Sequence, residues 1–186
     1  MKRQDLEHLI RASSQITQEY ELVIIGSQSI LGTDPNPPAE LTVSAEADIY
    51  PLHKPELAHE IDVHIGEGSP FHELNGYYAQ GVGVETATLP SGWLDRVVRV
   101  PDSAHSSGVG YCISVLDLFL SKAEAGREKD KDFCLLLLEH GYLTLPEALA
   151  MVPAMPEAVD KRRLSARIRR WVKLAREAGR SIPVWE

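Results

Sequence analysis

The chain has 186 residues, 44% hydrophobic and 25% charged, with a formal net charge of −8. That size and balance predict about one ordinary globular domain with a real core, and exclude disordered, collagenous and disulfide-scaffold classes. No apolar run approaches membrane-spanning length, and MKRQDLEHLIRASSQ lacks the pattern of a signal peptide, so a cytoplasmic protein without a membrane partner is expected.

The first element is a helix over residues 5–20, with Leu6, Leu9, Ile10 and Ile16 as its apolar side. In ELVIIGSQSILG, Leu22–Ile25 reads as a short buried strand, Gly26-Ser27 as a tight turn, and Gln28–Leu31 as the start of a helix. TDPNPPAEL is a proline-rich loop. LTVSAEADIY is the second strand, and KPELAHEIDVHIGEG reads as a helix with Pro55 at its start. SPFHELNGYYAQGVG is irregular, and its Glu67-Gly-Ser69-Pro-Phe-His72 and Tyr77-Tyr78 surroundings either line a pocket or anchor a packed loop. VETATLP is the expected third strand and LDRVVRVP the fourth. Everything beyond reads as helical, with capping patterns at Ser114–Asp117 and Thr144–Glu147, and with Gly126, Gly141 and Gly179 as stops. The expected fold is α/β (α+β): a small mixed sheet domain over 1–110 and a helical region over 111–186 packed on it.

Strand, Gly26-Ser27, then helix suits a phosphate, because a small turn exposes backbone N–H groups and a hydroxyl. The spacing matches neither a Walker A loop nor GxGxxG, and alone it is an ordinary capped turn. Alternation puts Glu46 and Asp48 on one strand face, where two carboxylates repel unless something positive lies between them. Mg²⁺ prefers hard carboxylate oxygens and shares them with substrate phosphates. Alone, the pair is better explained by a solvated strand face. Together, Leu22-Val-Ile-Ile-Gly26-Ser27 and Glu46-Ala-Asp48-Ile resemble the signature of the nucleotidyltransferase (DNA polymerase β-like) superfamily.

The resemblance continues in Asp117-Leu-Phe-Leu-Ser-Lys122-Ala-Glu-Ala-Gly-Arg127-Glu-Lys-Asp130. This stretch is similar to the second motif of abortive-infection-type bacterial nucleotidyltransferases. Pro90-Ser-Gly-Trp93-Leu-Asp-Arg96 and Gly76-Tyr77-Tyr78-Ala-Gln-Gly81-Val82 resemble a bacterial group of nucleotidyltransferase-like proteins, so the likeness spans about residues 22–140. It implies that Glu46 and Asp48 bind Mg²⁺, as two ions with an NTP. It further implies that Gly26 and Ser27 meet the nucleotide phosphates, and that Lys122 binds nucleotide and neutralises developing charge. The implied acceptor is an RNA, a protein or a small molecule. A toxin–antitoxin setting with a partner protein is implied too, as is the alternative of an inactive binding or regulatory module. The chain departs from the family in having Glu as the first acid, and in the nineteen positions that separate Ser27 from Glu46. A third catalytic carboxylate is expected on a neighbouring strand, with Glu85 in VETATLP as the candidate and Asp95 and Asp62 behind it.

Arg127–Asp132 otherwise reads as a solvated, mixed-charge helix surface. Among the histidines (His8, His53, His59, His64, His72, His105 and His140), His59 and His64 are five apart, which is not zinc spacing. Cys112 and Cys134 lack CxxC spacing and are expected to be buried free thiols. Residues 157–186 carry nine Lys/Arg against four acids, whereas the rest carries ten against twenty-three. The whole molecule should therefore repel nucleic acid, and no DNA partner is expected. The basic C-terminal helix either lies on the acidic body or binds RNA.

Overall fold

The computed structural model describes residues 1–101 and 108–184. His105 and the last two residues lie outside them. The chain forms two compact units: Met1–Ala87 with Leu94–Ser114, and Thr88–Trp93 with Val115–Glu186.

The first unit contains α1 (Arg3–Thr17), β1 (Glu21–Ile25), α2 (Ile30–Thr33), β2 (Glu46–Pro51), α3 (Ala58–Ile65), α4 (Pro70–Asn75), β3 (Tyr78–Gly81), β4 (Val98–Pro101) and β5 (Val109–Cys112). The strands form one sheet in the order β3-β2-β1-β5-β4. β1 runs antiparallel to β2 and parallel to β5, β2 runs parallel to β3, and β4 runs antiparallel to β5. This is the mixed α/β sheet expected. The period-2 alternation of strand side chains sorts the sheet into two faces. One bears Leu22, Ile24, Ala47, Ile49, Ala79 and Cys112, all buried. Onto it α1 lays Leu6, Leu9 and Ile10, each fully buried and each worth roughly 1.5–3 kcal/mol relative to exposure. Gly110 is needed there, since a β-carbon would come within 2.5 Å of Ile10 Cδ1. The other face carries Val23 and Ile25 on β1, Glu46, Asp48 and Tyr50 on β2, and Tyr78 on β3, in register.

The second unit packs α5 (Val115–Ala125), α6 (Glu128–Glu139), α7 (Leu145–Met151) and α8 (Lys161–Glu177) around Leu118, Phe119, Leu137, Leu138, Leu164 and Ile168. Its boundaries follow the capping residues. Thr144 and Glu147 form a capping box, Asp160 accepts from the Arg163 N–H at 3.0 Å, and Gly126, Gly141 and Gly179 end helices with positive φ. No helix among the described residues is long and apolar enough to cross a membrane. Both cysteines are buried and free, and burial pushes the Cys112 thiol up to about 12.

Several strand assignments differ from the sequence reading. VETATLP is not a strand: Val84–Thr86 make one 3-10 turn, closed by Thr86 N–H to Gly83 O at 3.1 Å. Val84, Glu85 and Thr86 are all exposed, so neither face of this segment is buried where a strand would have to start. β2 begins only at Glu46, because Ala39–Leu41 form a 3-10 turn. Trp93–Arg96 is likewise a 3-10 turn, and β4 keeps only the last four residues of LDRVVRVP. The supposed irregular stretch yields α4 and β3, and the supposed helical remainder begins with β5.

Candidate functional site

β1 ends in a turn that its glycine makes possible. Gly26 has φ 69° and ψ −170°, backbone that is essentially restricted to glycine. Ile25 is paired with Asp48 across the sheet, so the chain leaves β1 directly beside that carboxylate. A β-carbon on Gly26 would overlap Asp48 Oδ2 and lie 3.2 Å from Cγ. Ser29 closes the turn from below, its Oγ donating to Gly26 O at 2.8 Å. Gln28 Nε2 donates to Ser44 O at 3.2 Å and ties the turn to the approach to β2. Ser27, half-buried, opens the 3-10 turn Ser27–Ser29. Gly26→Ala is expected to cost about 1–3 kcal/mol from conformation alone, read as a lower urea midpoint, with the Asp48 carboxylate displaced as well. An unchanged midpoint would contradict the turn geometry.

Glu46 and Asp48 share the face of β2 that meets this turn. Glu46 is paired with Tyr78 of β3, whose hydroxyl donates to Glu46 Oε2 at 3.2 Å. Tyr78 is pushed up to about 12 by burial first, then by the charges of Glu46, Glu67 and Asp48. Three carboxylates therefore act on one phenol. The His72 ring packs on Tyr78 with centroids 4.6 Å apart, and its Nδ1 accepts from the Gly68 N–H at 3.0 Å. Ser69 Oγ caps α4 by accepting from the His72 N–H. Gln80, paired with Asp48, donates to Asp62 Oδ1 at 2.9 Å.

The expected third carboxylate, Glu85, is in the 3-10 turn of residues 84–86 rather than a strand, and its carboxylate folds back onto Gly83. Asp95 is in the 3-10 turn Trp93–Arg96. Glu67, which the sequence marked only as a pocket-lining residue, is the further acid whose charge reaches Tyr78. Its signal was the acid-Gly-Ser-Pro run that precedes α4. Among the described residues no group of three His, Cys, Asp or Glu side chains is placed to hold a metal.

Lys122 belongs to the second unit, on α5. Its Nζ stands 3.4 Å from Asp130 Oδ1 and 4.7 Å from the Phe133 ring centre. Asp130 is fully buried, so the Arg127–Asp132 run is not simply a solvated surface. Arg127 Nε donates to Asp130 Oδ2 at 2.6 Å, and the Arg127 N–H donates to the same oxygen at 3.3 Å. Asp130 thus caps α6 and gathers two cations. Burial alone would raise its carboxyl, but the bonds and charges of Arg127 and Lys122 outweigh this and hold it below the usual aspartate value.

No curated protein and no solved structure matches the chain. A family model does, over residues 4–135, a span that contains the whole sheet, the Gly26 turn, Glu46, Asp48 and the Lys122–Asp130 network. The chain therefore belongs to the family described as nucleotidyltransferase of unknown function (DUF6036).

Proposed function

We propose that the protein transfers a nucleotide from an NTP to an acceptor with the help of Mg²⁺. The observation that carries this reading is the Gly26 turn packed on Asp48, with Glu46 on the same strand face, in a chain of this family. The donor set fits the ion: Mg²⁺ is commonly held by one or two carboxylates, with substrate phosphates and water completing an octahedron. Glu46 and Asp48 would hold it, and when bound it would neutralise triphosphate charge.

The chain's own groups do the rest. Gly26, lacking a side chain, lets a phosphate approach the backbone beside Asp48, and Ser27 supplies a hydroxyl to the same group. The acceptor hydroxyl gives its proton to the third acid, its oxygen bonds to the α-phosphorus, and the bond to pyrophosphate breaks. Glu67 joins Glu85 as a candidate for the third acid.

One observation favours a second reading, a nucleotide-binding or regulatory module without turnover, working with a partner protein in a toxin–antitoxin pair. Glu46 stands where the resembling proteins carry Asp, and its Oε2 already accepts from Tyr78.

Titration calorimetry with each of the four NTPs, in Mg²⁺ and in EDTA, tests both readings, with transfer from α-labelled NTP to RNA and protein followed alongside. Mg²⁺-dependent binding with labelled product supports the enzyme. Binding without product supports the module, and no binding by any NTP removes both.

A further inference from the structure

The second unit holds a cleft of about 760 Å³ between α6 and α8. The wall from α8 presents Arg163, Arg167, Arg170, Trp171 and Leu174, a stripe at helical spacing, and the wall from α6 contributes Lys131. Not all of these cations are available. Arg167 Nη1 donates to Ala123 O and Glu124 O, both at 2.7 Å, and so closes the end of α5. Arg180, at the far end of the cleft, is bound bidentately to Glu139 at 2.8 and 2.7 Å. Lys131 is paired with Glu128. Arg163 and Arg170 are exposed, and among the described residues neither guanidinium has a hydrogen bond or ion pair. They are seven residues apart, roughly 10 Å along the axis, with half-buried Trp171 beside the second. The two acids of the cleft are already engaged, Glu128 by Lys131 and Asp132 by Arg180 at 3.8 Å.

A second observation concerns the placement of charge on α8. Its first turn is Lys161-Arg162-Arg163 with no acid, against a helix dipole that favours the opposite sign there. The helix carries eight Lys/Arg and one acid, and Arg162, Arg169 and Lys173 extend the exposed cations beyond the cleft. Charge concentrated against the helix's own preference points to a ligand rather than to stability.

We propose that this cleft and the exposed face of α8 bind single-stranded RNA, with a base on Trp171 and phosphates on Arg163 and Arg170. An acidic amphipathic helix fits less well. Such a ligand needs several apolar anchors, and Leu174 is the one large apolar side chain that α8 exposes. A row of exposed cations from Arg162 to Lys173, some 17 Å long, suits a continuous phosphate chain better than a rim of one or two acids. The proposal does not rest on the transfer reaction, since every residue it uses lies in the second unit.

The test is fluorescence anisotropy of the full chain with a 5′-labelled 12-nucleotide single-stranded RNA. Binding is expected in 50 mM KCl and should weaken about sevenfold by 200 mM for two phosphates neutralised and their counterions released. Arg163→Glu with Arg170→Glu should abolish it. That pair cannot be dismissed as unfolded, because an acid at residue 163 suits the helix N-terminus. Trp171→Ala should weaken binding roughly tenfold, while Trp171→Phe, which keeps a stacking ring, should stay within a few-fold. Asp48→Asn should bind RNA like the parent. The proposal is overturned by absent binding at 50 mM, by binding that the α8 variants leave intact, or by equal loss in Asp48→Asn. It is also overturned if the chain ignores RNA and takes up an acidic amphipathic peptide that the charge reversals release.

Discussion

Asp48→Asn is expected to lower Mg²⁺-dependent NTP affinity and nucleotide transfer at least a hundredfold while leaving the fold intact. Changes to groups that merely orient a metal ligand cost about 10–100-fold, so removing a ligand's charge sets that as the floor. Asparagine keeps the size of the side chain and an oxygen beside Gly26, so the tight approach of turn and side chain survives. The variant also removes one of three carboxylates that crowd Tyr78. Its urea midpoint should therefore stay within about 1 kcal/mol of the parent. Function lost with stability kept is the signature of a ligand. If affinity and stability fall together, the side chain serves the fold. If neither changes, Asp48 is an ordinary strand residue.

Asp130→Ala is expected to have the largest effect on stability, about 3 kcal/mol or more. It removes a fully buried carboxylate, the cap of α6, and the partner of Lys122, whose side chain is only 16% exposed. The measurement is the chemical-denaturation midpoint at neutral pH, where a cost below 1 kcal/mol would contradict the network. The direction of its pH dependence follows from the carboxyl being lowered in the folded protein. Its stabilisation is fully present above the ordinary aspartate value and is lost as pH falls through the depressed folded one. The parent should thus lose stability relative to Asp130→Ala as acid is added below about pH 4, and the two midpoints should converge. Because Lys122 is bound to Asp130, Lys122→Met should lower stability as well as any activity. A Lys122 variant that is inactive is therefore interpretable only beside its own midpoint.

The parts legible from sequence were those whose signal is local. α1 declares itself through Leu6, Leu9 and Ile10, α7 through its cap at Thr144, and α8 through its stop at Gly179. The Gly26 turn and the facing of Glu46 and Asp48 followed from strand alternation. β3 and β5 were missed because four-residue strands such as YAQG and VGYC carry no usable period. They exist because neighbouring strands and helices supply the partners, as Gly110 does by making room for Ile10. VETATLP showed the converse, β-forming residues with nothing to pack on. Asp130 was misread because burial of an acid depends on a Lys eight residues away and on the helix cap, which a charge pattern does not display. Glu67 sits outside the strands altogether, so a search for a third acid on a strand passed over it.

The parallel pairing of β1 with β5 joins Glu21 to Val109, 88 positions along the chain. β1 therefore has only β2 beside it until β5, the last strand in the chain, arrives, and closing so long a loop precedes any reward from the contact. During synthesis, the edge of β1 that β5 will take stays open while more than eighty further residues are made. Leu22, Val23, Ile24 and Ile25 form an apolar run on that unpaired edge, the kind of strand that recruits foreign chains. A nascent or truncated chain ending before Val109 should therefore aggregate, although every residue of the Gly26, Glu46 and Asp48 site is already present in it.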